Sequence, residues 1–126
     1  MEACREGGYQ VSVVIVDRSG IVQVMLRDQL AEPHTLDAAR RKARREAWMA
    51  ASFDPDTSAF LEVTSSESRN APSRSASEAI MGAGGAPLYG EGVLIGAVGV
   101  SGTRSAAANQ KCAEKGADAL AEKSLF

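Results

Sequence analysis

The 126-residue chain holds a single histidine, His34, so any Ser-His-Asp or Cys-His scheme has to pass through it. It stands just before Thr35, where a helix is expected to begin. There the helix dipole disfavours imidazolium and keeps a neutral ring nitrogen available to a metal or a haem iron. One axial ligand to haem requires one histidine, whereas a zinc site normally requires three or four protein ligands, and no such set can be assembled from this sequence. His34 is therefore the candidate metal ligand, with a solvent-facing loop histidine as the plain alternative.

Other motifs point less far. Gly82 to Gly85 lacks the Lys-Ser/Thr pair of a phosphate loop, and the G-x-G-x-x-G spacing fails at Pro87. Gly99-Val100-Ser101-Gly102 is followed by Thr103, where a nucleophile elbow needs glycine. Arg40, Arg41, Arg44 and Arg45 surround Trp48 and read as a solvated helix face. With 14 basic against 16 acidic residues and 5% aromatics, nucleic acid is not an expected partner. Tyr9, Tyr89 and Cys112 are possible iron ligands by type, but an edge-strand role suits Tyr89 and a core-filling role suits Cys112.

A single domain over residues 1–126 fits this length, with 44% apolar and 24% charged residues. Cys4 and Cys112 lie far apart and form no C-x-x-C pair, so neither a disulfide scaffold nor a zinc ribbon is expected, and a reducing cytoplasm is the simplest compartment. The start, Met1 to Glu6, is charged and lacks the apolar run of a secretory signal, and no run is long enough for a membrane span.

The β-branched runs Val11–Val16 and Ile21–Leu26 flank Asp17-Arg18-Ser19-Gly20 and predict a β-hairpin with its first strand central. Thr35 can cap a helix to about Ser52, whose stripe is Leu36, Ala39, Ala43, Ala47 and Ala50. Lys42 lies on the flank of that stripe, where its stem can follow apolar surface while its ammonium reaches a cleft. A short helix is expected at residues 58–63 and a long surface loop at 64–77. A second hairpin joins Pro87-Leu88-Tyr89 to Val93–Val100, in which Gly96 and Gly99 imply a closely packed helix or flat ligand. Ser105 to Lys123 is a final helix on the free face of the sheet. The whole is an α+β arrangement: a central antiparallel sheet of about five strands covered by helices.

Val13 to Gly20, Arg27, Leu36 to Ala43, Gly84 to Leu88 and Gly96-Ala97-Val98-Gly99-Val100-Ser101-Gly102, in that order, resemble the GlcG/HbpS-like family. The similarity runs from about Gln10 to Leu120, and the last stretch is its most specific piece. The resemblance implies a profilin-like fold, a homo-oligomer and, in several members including the C-terminal domain of PduO-type corrinoid adenosyltransferases, haem bound near subunit contacts. Carried over position by position, it implies a pocket at His34, Thr35, Lys42, Gly84, Gly85 and Pro87, with Arg27 at the end of the second strand. Family members usually begin with a full helix, whereas only Met1 to Gly8 precede the first strand here. An axial ligand that some members carry in that helix has no counterpart in this chain. A shortened helix would also bare part of the sheet and favour pairing with another subunit.

The expected function is binding of haem or a similar planar anionic ligand, with His34 as axial ligand and Arg27 and Lys42 facing its carboxylates. An enzyme acting on a small carboxylated metabolite, with His34 or Lys42 as base, is the alternative. A purely structural assembly module is the third class.

Overall fold

The computed structural model describes residues 1–52 and 83–123. The helix expected at 58–63, the loop expected at 64–77 and Gly82 lie outside them. The elements run α1 (Glu2–Glu6), β1 (Ser12–Asp17), β2 (Val22–Arg27), α2 (Thr35–Ser52), β3 (Gly85–Gly90), β4 (Val93–Ser101) and α3 (Ala106–Lys123). Among the described residues one antiparallel sheet has the order β2-β1-β4-β3, four strands where about five were expected.

Both hairpins form for local reasons. In the first, the Asp17 carboxylate accepts from Ser19 N–H at 2.9 Å and Ile21 N–H at 3.1 Å, and Gly20 adopts φ 87° to close the turn. In the second, Glu91 and Gly92 both have positive φ, the backbone that matches the twist of the flanking strands.

Alternation along the central strands splits the core into two layers. Val14, Val16 and Ala97 face α2 and meet Ala39, Ala43 and Ala47. Val13, Val98 and Val100, with Ala86 and Leu88 of β3, face α1 and α3, where Cys4 and Ala113 join them. Gly99 is the point of closest approach between α2 and the sheet: a Cβ there would lie 2.6 Å from the Ala43 nitrogen and closer still to the Ala39 carbonyl oxygen. Gly96 serves a different contact, lying against the Val16 backbone rather than a helix or ligand.

The two cysteines correct the sequence reading. Cys4 and Cys112 form a disulfide that joins α1 to α3, with Cα atoms 5.6 Å apart and a sequence separation of 108. Cys112 is thus a tether and not a lone core filler, and the cysteine count no longer argues for a reducing compartment. Closing so long a loop restricts the unfolded chain and contributes about 2–5 kcal/mol. A second tie holds α1: buried Asp28 accepts from Arg5 Nη2 at 2.8 Å and from the Val11 N–H at 2.9 Å. Burial alone would raise the Asp28 pKa, but these hydrogen bonds and the Arg5 charge outweigh it and hold the carboxyl below its ordinary value.

Arg45 is a further correction, because it is buried with Glu46 rather than lying on a solvated arginine face. Burial lowers its pKa to about 10, with the Glu46 charge acting in the opposite direction. Among the described residues no helix is long and apolar enough to cross a membrane. The edge strand β2 leaves Val24, Met25 and Leu26 exposed.

Because the α2 backbone occupies the space beside Gly99, Gly99→Ala should cost about 1–3 kcal/mol. Gly116→Ala on α3, where a Cβ meets nothing within 4 Å, should gain up to about 1 kcal/mol. Urea unfolding of both variants checks this; equal midpoints for Gly99→Ala and wild type would refute the close approach.

Candidate functional site

The chain entering α2 builds an exposed polar cluster. The His34 carbonyl accepts from Ala38 N–H at 3.1 Å, so His34, not Thr35, occupies the N-cap. Its imidazole is 70% exposed, and Nδ1 lies 3.7 Å from the Glu32 carboxylate. Arg104 in turn donates through Nε to Glu32 at 2.8 Å, its second nitrogen also meeting that carboxylate. The hydrogen bond and charge of Arg104 hold Glu32 below the ordinary carboxylate range. The 3.7 Å between Nδ1 and Glu32 exceeds hydrogen-bond length, so the carboxylate is a charged neighbour of the ring and not its bonded partner. Arg27, at the end of β2, anchors the same loop by donating to the Ala31 carbonyl at 2.6 Å.

Thr35 belongs to the interior. Its hydroxyl donates to the Glu32 carbonyl at 2.6 Å and lies 2.8 Å from the Ser12 hydroxyl, fixing the start of α2 on β1. It positions the His34 loop and presents no free hydroxyl to a ligand.

Lys42, two turns further along α2, forms a separate buried centre. Its ammonium donates to the Val100 carbonyl at 3.1 Å and is packed beside Gly84. A Cβ on Gly84 would fall 2.5 Å from the Val100 oxygen and 3.2 Å from Lys42 Nζ, so glycine there leaves room for the ammonium. Gln110 of α3 closes the other side, accepting from Gly84 N–H at 2.8 Å and donating to the Gly85 carbonyl at 2.8 Å. Pro87 follows in β3, half-buried and paired with Ala97. The expected set therefore divides: Arg27 and His34 flank one exposed loop, while Lys42, Gly84 and Gly85 share a buried corner.

Glu32, Arg104 and Gln110 carry much of this geometry and were absent from the sequence-derived set. Glu32 precedes His34 by two residues, a local signal that could have suggested the pairing. Nothing local points to Arg104 or Gln110, whose partners are brought close by the fold.

Desolvation lowers the Lys42 pKa from its ordinary 10.5 to about 8, assisted by the charge of Arg45. That brings the neutral amine nearer to physiological pH, as a general base would need, although the Val100 carbonyl favours the protonated form.

These features define a small α+β domain in which helices cover both faces of an antiparallel sheet and a histidine-bearing loop opens the long helix. The chain belongs to the HbpS-like family: the family model described as haem degrading protein HbpS-like matches residues 1–118. Streptomyces reticuli HbpS, solved as a double mutant with two glutamates changed to aspartate, is similar at 31% identity and a TM-score of 0.78 over 94% of this chain and 77% of that one. A PduOC:heme complex is similar at 26% identity and a TM-score of 0.77, covering 94% of this chain and 83% of that one. Klebsiella pneumoniae protein ORFY shares the fold at 23% identity and a TM-score of 0.81, over 93% and 79% of the two chains. No curated protein matches the sequence.

The Lys42 shift makes stability depend on pH. Below about pH 8 the amine is protonated both folded and unfolded, and the burial cost is constant. Between about 8 and 10.5 the unfolded chain keeps a proton that the folded chain has released, so stability rises with pH. The gain attributable to Lys42 should be of the order of 1–2 kcal/mol, allowing for water near the ammonium, and absent from Lys42→Met. Urea midpoints of both proteins at pH 8 and pH 10 check this; equal increases would place the titration elsewhere.

Proposed function

We propose that this chain binds haem or a similar planar anionic ligand at the surface beside the N-terminal end of α2, with His34 as the axial ligand. The observation that carries the reading is the Arg104–Glu32–His34 arrangement. The imidazole is exposed, its Nδ1 is 3.7 Å from an anchored carboxylate, and a cationic side chain, Arg27, anchors the same loop from the end of β2. This donor set fits haem: an imidazole nitrogen for iron and a guanidinium for a propionate. Bound haem supplies an iron centre whose potential and ligand affinity depend on that axial nitrogen and its surroundings. The family's description and the PduOC:heme complex support the same reading.

The protein's own contribution is positional. Arg104 holds Glu32, Glu32 places a negative charge beside the imidazole, and Thr35 with Ser12 fixes the helix start that follows them. Lys42 and Gly84 brace α2 against β4 from behind and keep that helix in place.

An imidazole 70% open to water leaves most of a planar ligand uncovered, whereas small-ligand sites generally bury most of their ligand. A second copy of the chain supplies the missing cover in this proposal. Leu30, 77% exposed on the His34 loop, continues the bare apolar edge of Val24, Met25 and Leu26. On this reading Met25→Asp should convert a homo-oligomer to monomer and weaken hemin binding with it. Light scattering on variant and wild type checks the prediction, and a wild type that is already monomeric would refute it.

Hemin titration followed at the Soret band tests the ligand itself. Wild type should shift the band at one equivalent per site, and His34→Ala should remove the shift or weaken binding by at least about tenfold. Glu32→Gln should weaken it less, with an altered band position. An identical titration in wild type and His34→Ala would sink the proposal.

A further inference from the structure

Beneath the short first helix lies a cavity of about 400 Å³ on the sheet face opposite α2. Val13, Ile15, Leu26, Val98 and Val100 form its floor. Cys4 on one wall and Cys112 on the other place the disulfide in its lining, with Ala119 and Leu120 further along α3. A groove of about 330 Å³ adjoins it and shares Ala3, Glu6, Cys112 and Lys115 with it. That groove adds Lys111, one helical turn before Lys115, and both lysines are exposed.

We infer that this cavity is a second binding site, separate from the His34 surface, for a single-chain amphiphile with one anionic head, a medium-chain carboxylate. The argument is one of shape and charge. An apolar chamber of this volume suits an aliphatic tail, because its floor offers no polar side chain to satisfy a buried polar group. The lining shared with the groove carries Lys115, and Lys111 stands one turn away in the groove itself, so a carboxylate head at that opening meets Lys115 first. Glu2, the other acidic side chain at the cavity, is already paired with Arg5 at 3.4 Å. Glu6 borders both spaces and repels a doubly charged head, which favours a carboxylate over a phosphate monoester. The disulfide keeps α1 on α3 and so preserves the chamber wall.

Calorimetric titration of the oxidised full chain with decanoate, decanol and decylammonium, each below its micelle concentration, tests the site. Decanoate should bind saturably with one site per chain and more tightly than decylammonium. Lys115→Gln should weaken decanoate by about threefold to tenfold and leave decanol unchanged. Ala119→Trp, at an exposed position on the cavity wall, should weaken decanoate and decanol alike by at least about tenfold. His34→Ala should bind decanoate as wild type does, which separates this site from the haem reading. No saturable decanoate binding, equal affinity for decylammonium, or an unchanged affinity in Ala119→Trp would each overturn the inference.

Discussion

The arrangement depends on how closely α2 can lie against β4. With Gly99 in the strand and Ala39 and Ala43 in the helix, backbone meets backbone and no larger side chain intervenes. The approach fixes the helix along its length, so its two ends are placed without further choice. At the N-terminal end, Thr35 docks on Ser12 and the loop bearing His34 is thrust outward. Two turns later, Lys42 is pressed into the sheet, where its ammonium bonds a backbone carbonyl and its charge becomes costly. An exposed imidazole and a buried amine thus follow from one steric constraint.

The opposite face is assembled by different means. The first helix has five residues and too little apolar surface to hold itself on the sheet. It is retained by a covalent link through Cys4 and by the bond from Arg5 to buried Asp28. The chamber lies beneath this helix, and the apolar edge of β2 runs beside it. The two faces therefore differ in character: one is close-packed small residues, the other a partly open vault.

Much of the architecture was legible because it is written in periodicity. The nearly continuous β-branched run of β1, the alanine spacing of α2 and the turn at Asp17 to Gly20 each specify one local solution, and the structure adopts it. Ser105 caps the last helix as its position suggests, accepting from Ala108 N–H at 3.2 Å. What could not be read depends on residues distant in sequence. The bond between Cys4 and Cys112, the grip of Gln110 on Gly84, and the pairing of Arg104 with Glu32 have no local signature. The same limit split the site: Arg27, His34, Lys42 and Gly84 were grouped by family resemblance, yet burial separates the first two from the last two. Arg45 was misread because helical spacing alone does not say how far the buried arc extends.

The disulfide makes the chain almost a ring. A cleavage anywhere between positions 4 and 112 leaves two fragments that remain covalently joined, so a nicked molecule keeps both halves of its sheet at high local concentration.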